Sequence, residues 1–127
     1  MQVFVPYLGP SLNSIYAGVH WSKRKKDVKH AHLMTKMACR KMEERGALEK
    51  IDGPVRLVFR PVLGRGVRAR DCSNYAYSAK MIEDGFVRAG VLNDDSIKYV
   101  KSFEILEPVR DKELGSGMLV TIEKFIA

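Results

Sequence analysis

Pro54-Val55-Arg56-Leu57-Val58-Phe59-Arg60-Pro61-Val62 is the stretch on which the fold turns. Val55, Leu57 and Phe59 alternate with Arg56, Val58 and Arg60, the period-two pattern of a half-buried strand. Upstream, from Lys23 to Arg45, the period changes. Val28, Ala31, Met34, Ala38 and Met42 recur every three or four residues, which predicts one apolar stripe on a long helix stopped by Gly46. Before it, Gln2 to Tyr7 reads as a short strand ended by the turn residues of Gly9-Pro10-Ser11-Leu12-Asn13-Ser14. Downstream, Gly64 to Arg70 is a basic loop. A second helix is expected over Tyr75 to Ala89, with Ala79, Ile82, Phe86 and Ala89 on one face and Gly90 as its C-terminal stop. Ile97 to Leu106 reads as a strand with Ile97, Tyr99, Phe103 and Ile105 on one side. Arg110 to Gly117 is a polar loop, and Met118 to Phe125 is the last strand. The expected order is β-α-β-α-β-β: an α+β fold in which helices pack on a mixed sheet.

The 127 residues suit a single domain spanning 1–127. Two cysteines, Cys39 and Cys72, do not make a disulfide framework, so a reducing compartment is expected. Met1 to Pro6 has no basic leader before an apolar run, and no apolar stretch approaches the roughly 20 residues of a membrane span. The expected setting is cytoplasmic. The net charge of +7 is localised. One group is Lys23-Arg24-Lys25-Lys26 with Lys29, followed by Lys36, Arg40, Lys41 and Arg45. A second is Arg60, Arg65, Arg68 and Arg70. Such a balance favours a polyanionic partner, foremost nucleic acid. The plainer readings are solvated helix faces, or a small basic protein that docks on an acidic partner.

Carboxylates bracket the second helix: Asp71 before it, Asp94 and Asp95 after it, with Lys80 and Asp84 on the helix itself. Hydrolysis of a phosphodiester needs a positioned water and neutralised phosphate charge. Clustered carboxylates holding Mg²⁺, with a lysine beside them, supply both. Each residue also has an ordinary role. Asp71, Ser73 and Asn74 are all good helix caps, Asn93 to Ser96 is turn chemistry, and Lys80 with Asp84 is spaced as a helix-surface ion pair. His20, His30 and His32 match no zinc spacing with the cysteines, and Gly64-x-Gly66 alone is not a phosphate loop. Trp21 and the tyrosines are suited to base stacking, but core packing is the expected role for most of them.

The run Arg70-Asp71-Cys72-Ser73-Asn74, then Lys80, Asp84-Gly85 and Ala89-Gly90-Val91-Leu92-Asn93-Asp94-Asp95, resembles the signature of the RusA-type Holliday junction resolvases. Gly9 to Tyr16 is similar to that family's Pro-Ser-x-Asn segment, and the resemblance runs from about Val3 to Ile122. It implies a small homodimeric endodeoxyribonuclease of DNA recombination and repair, often phage-encoded, that nicks a four-way junction in pairs with Mg²⁺ (or Mn²⁺). Asp71, Asp95 and Lys80 would be catalytic. Asp71 and Asp95 would bind the metal, with Asp94 as a further ligand or orienting group. Lys23, Arg24, Lys25, Lys26, Lys29, Arg65, Arg68 and Arg70 are the expected DNA contacts. The sequence departs from the family at position 73, a serine where the pattern has an aspartate, and in a longer spacing to Lys80. Either Asn74, Asp94 or a water fills that place, or the site is weakened and the dimer binds branched DNA without cutting it. A helix over 75–89 would be roughly 22 Å long at about 1.5 Å per residue. Asp71 and Asp95 then meet only if residues 71–78 run extended beside a shorter helix, or across two subunits.

Overall fold

The alternating stretch forms the central strand of the sheet. In a computed structural model, which describes residues 1–18 and 20–126, β2 covers Val55–Leu63, with Val55, Leu57 and Phe59 buried and Arg56 exposed. The other elements are β1 (Gln2–Val5), α1 (Leu12–Tyr16), α2 (Trp21–Glu44), a 3-10 turn (Cys72–Tyr75) running into α3 (Ala76–Arg88), β3 (Val100–Ile105), β4 (Val109–Arg110) and β5 (Gly117–Lys124). The sheet order is β1-β5-β2-β3, with β4 pairing the far end of β2. β5 runs antiparallel to both β1 and β2, while β3 and β4 run parallel to β2, so the sheet is mixed. A parallel β2–β3 pair requires a crossover, and α3 supplies it.

One face of the sheet carries the core. Val3 and Val5 of β1, Leu57 and Phe59 of β2, and Met118, Val120 and Ile122 of β5 join Ala31 and Ala38 of α2 and Tyr75, Ala79, Ile82 and Phe86 around α3 in a single cluster. The opposite face is polar: Arg56 pairs with Glu104 and Glu123, and Gln2 donates to Thr121. β1 and the first half of β2 therefore alternate because one side meets helices and the other is more open to water. Among the described residues, no helix is long and apolar enough to cross a membrane.

The observed order is β-α-α-β-α-β-β-β rather than β-α-β-α-β-β, because α1 and the two-residue β4, which enters the expected polar loop at Arg110, add to the expected elements, and four further details differ. The turn after β1 is shorter than expected, because Ser11 Oγ accepts the Ser14 N–H at 3.2 Å and caps α1. The expected second helix begins as a 3-10 turn, and Ala89 is exposed beyond its end. The strand expected from Ile97 starts only at Val100. The Ser96 carbonyl accepts from both Tyr99 and Val100, which curls residues 97–99 into a turn and leaves Ile97 75% exposed. Phe103 is 40% exposed, yet its ring lies 4.7 Å from that of the buried Phe59.

Candidate active site

The end of α3 explains how distant carboxylates approach one another. Gly90 takes a φ of +77°, and the Val91 and Leu92 N–H groups both donate to the Phe86 carbonyl. This is the glycine-ended close of a helix. Val91 and Leu92 are both buried, which pins the chain against the core and turns Asn93 to Asp95 back along the helix. Asp95 Oδ2 thereby lies 2.6 Å from Lys80 Nζ. The same ammonium donates to Glu83 Oε1 at 2.8 Å and lies 3.3 Å from Asp84 Oδ1. The surface pair expected between Lys80 and Asp84 is thus one edge of a four-residue cluster. The extended path considered for residues 71–78 does not form, since the 3-10 turn and α3 occupy it; instead, Asp95 returns from the far end of α3.

Glu83, Asp84 and Asp95 each present a carboxylate oxygen within 4.8 Å of the others. Glu83 is 4% exposed, whereas Lys80 and the two aspartates open to solvent. Burial pushes the Glu83 carboxyl above its ordinary pKa, against the pull of Lys80. The hydrogen bond and charge of Lys80 hold Asp95 below the usual carboxylate value, with lesser contributions from Asp84 and Asp94. Partial burial works against the charge on Lys80, but its bonds to Asp95 and Glu83 and the surrounding negative charge together raise its pKa. Carboxylate oxygens gathered this closely are hard donors of the kind that could hold a metal ion.

Of the residues singled out in the sequence, Lys80 and Asp95 are brought together, and Asp94 adjoins them through Asp95. Asp71 lies outside the three-carboxylate group. It is exposed at the start of the 3-10 turn, where its carbonyl accepts from Asn74 N–H but its side chain caps nothing. Ser73 is also exposed. Asn74 caps a different helix from its own, accepting the Asn13 N–H of α1 through Oδ1 at 3.2 Å. Arg70 is tied into the fold: Nη1 donates to the Gly9 carbonyl at 2.8 Å, and the guanidinium lies 5.6 Å from the centre of the Tyr75 ring. Lys23 pairs with the buried Asp27, and Arg24 donates to the Ile15 carbonyl. Lys25, Lys26, Lys29, Arg65 and Arg68 are exposed.

Sequence reasoning passed over Glu83. Its signal was a charged residue set among Ala79, Ile82 and Phe86, on the stripe that packs inward. It also passed over the groove between α2 and α3, a cavity of about 480 Å³ whose charged lining is Lys36, Arg40 and Arg88 against the single carboxylate of Glu43, with His32 and Cys39 beside them. His32 and Arg88 line an adjoining hollow together with Asp84 and Asp95. A basic groove therefore borders the acidic cluster. His32 is half-buried, and burial followed by the charge of Arg88 lowers its pKa, against an opposing pull from Asp84. No protein-family model and no curated protein matches the chain.

Proposed function

We propose that the chain is a Mg²⁺-dependent, structure-selective endodeoxyribonuclease that acts as a homodimer on four-way or otherwise branched DNA in the cytoplasm. The observation that carries this reading is the return of Asp95 onto Lys80, 15 positions apart in sequence and 2.6 Å apart in space. These are two of the residues that the resemblance to RusA-type resolvases makes catalytic. The basic groove beside Asp84 and Asp95 supports it further, since a phosphodiester backbone needs cations next to the cleavage point.

In this reading Asp95 would hold the cation with Asp84, whose carboxylate gathers beside it at Lys80, and with Asp94 as a further donor, while Asp71, outside that group, is a ligand that the resemblance alone assigns. A divalent cation there supplies neutralisation of the scissile phosphate and activation of water. Lys80, 53% exposed at its side chain, contacts a phosphate oxygen on its open side while Glu83 fixes it from beneath. Paired nicking follows from two-fold symmetry, because a C2 dimer presents two identical sites to a nearly two-fold junction.

The test is incision of a synthetic four-way junction with Mg²⁺, set against binding in EDTA. Wild type should nick with Mg²⁺. Asp95→Asn and Asp71→Asn should each lose nicking by at least about 100-fold, the order of one removed electrostatic stabiliser, while retaining or tightening binding. Unchanged nicking in both variants would remove the site assignment. Ser73, where the family pattern has a carboxylate, favours a second reading: a dimer that binds branched DNA without cutting it. Inactive wild type that binds junctions, and that Ser73→Asp activates, would establish that reading instead.

A further inference from the structure

The aromatic residues differ widely in burial. Tyr75, Phe59 and Phe86 are fully enclosed and Tyr7 nearly so, as core packing predicts. Tyr16 and Trp21 are not: they are 80% and 67% exposed. An aromatic side chain buries about 150–250 Å² when it packs. Leaving two of them in water, five positions apart, forgoes a large stabilisation. Tyr16 is the last residue of α1 and Trp21 the first of α2. The two helices are tied to each other: Ile15 of α1 is buried, and Arg24 Nη2 of α2 donates to its carbonyl at 3.3 Å. His20 caps α2 through Nδ1, and its ring lies 5.6 Å from that of Trp21. Each aromatic therefore belongs to a helix bonded to the other.

The charge around them has one sign. Between Tyr16 and Lys26 there is no acidic residue, and Lys23, Arg24, Lys25 and Lys26 lie within the first two turns of α2. The nearest carboxylate, Asp27, is buried and already bonded to Lys23. Exposed aromatic rings beside a cationic track form a surface that stacks unpaired bases while holding their phosphates. Double-stranded DNA offers no free base face to such rings, whereas a branch point or a single strand does.

We propose that the α1–α2 corner binds unpaired nucleotide bases, with Trp21 and Tyr16 as stacking platforms and Lys25 and Lys26 at the adjoining phosphates. The inference rests on the nucleic-acid part of the proposed function and is independent of cleavage. Trp21 is the only tryptophan in the chain, so its fluorescence reports the contact directly. In EDTA, an oligothymidylate of about 16 nucleotides should quench Trp21 emission, and a blunt duplex of equal length should quench it far less. Trp21→Ala and Tyr16→Ala should each weaken oligothymidylate binding by roughly five- to hundredfold, measured by anisotropy of a labelled strand. Trp21→Phe should retain most of the affinity, which separates stacking from loss of fold. Oligothymidylate binding without quenching, and unaltered in both alanine variants, overturns the corner while leaving the nuclease reading intact. Failure to bind any DNA overturns both. A blue shift of Trp21 with phosphatidylserine vesicles, or with protein concentration alone, would assign the aromatics to lipid or to a second copy and also overturn the proposal.

Discussion

Glu83 governs how the candidate site responds to mutation and to acid. It is a buried carboxylate whose only hydrogen-bond partner among the described residues is Lys80. Lys80→Met keeps the length of the stem and removes the charge, leaving Glu83 in a poorly solvated place. Because Lys80 is itself half exposed and screened, the expected loss is about 1–2 kcal/mol, below that of a fully buried pair. The sign with pH follows from the two carboxylates. Lys80 stabilises both only while they are ionised, so the loss is largest at high pH and fades on acidification. The Glu83 share fades first, above its ordinary value of 4.5, because its folded pKa is raised and rises further without Lys80. The Asp95 share persists until pH falls below 3.8, because its folded pKa is depressed. Urea midpoints of both proteins at a series of pH values measure this difference. A loss independent of pH would mean that Lys80 acts through the packing of its stem. Lys80 and Asp95 were legible in the sequence because their residue types and order follow a pattern. Glu83 was passed over although it sits beside the predicted face of Ala79, Ile82 and Phe86, because a charged residue there reads as solvated until the fold shows it enclosed, and the distance from Asp95 to Lys80 depended on where Gly90, Val91 and Leu92 turn the chain.

At the scale of elements, the contact of α2 with α3 carries a second prediction. Gly85 stands in mid-helix, where glycine costs about 1 kcal/mol relative to alanine. The reason is spatial: a Cβ there would lie 2.8 Å from Thr35 Cβ and 2.9 Å from its Cγ2 and Oγ1. Thr35 is fully buried and donates to the Ala31 carbonyl at 2.8 Å, so it has little room to yield. Gly85→Ala should therefore destabilise by about 1–3 kcal/mol through overpacking, despite its better helix propensity. The denaturation midpoint checks it, and a stabilised variant would mean that the helices separate at little cost. The same closeness explains the reading of α2. Its apolar stripe was legible, and Ala31 and Ala38 are buried as expected. The contact is nevertheless centred partly on Asp27, Thr35 and Cys39, while Val28, Met34 and Met42 lie at the margin. Small side chains permit the approach, and hydrophobic periodicity gives them no weight. The central strand was read almost to the residue because its alternation reflects a one-sided sheet, whereas β3 lost its first three residues to a turn closed by the Ser96 carbonyl, a backbone event with no hydropathy signal.

For the whole molecule, the question is which of the cations behind a net charge of +7 are free to meet a polyanion. Composition counts them equally, and the fold does not. Arg110 donates to the Gly64 and Val67 carbonyls and braces the basic loop, and Arg70 joins that loop to Gly9 and Tyr75. Arg68 stands between these braces with its side chain in solvent. Two substitutions separate the roles. Arg68→Ala should leave thermal stability unchanged and reduce the slope of log affinity for junction DNA against log salt by about 0.9, the value for one phosphate contact. Arg70→Lys keeps the charge but cannot reproduce both the bond to Gly9 and the flat contact with Tyr75. It should lower stability by about 1–2 kcal/mol, as for a lost charged hydrogen bond, and leave the salt slope in place. Anisotropy titrations between about 50 and 200 mM salt, paired with thermal melts of the same samples, read both quantities. A reversed outcome, with Arg70→Lys stable and its slope reduced, would make Arg70 a phosphate contact rather than a brace. The free cations on α2 and on this loop belong to different elements, so the two slopes also measure whether one DNA molecule spans both.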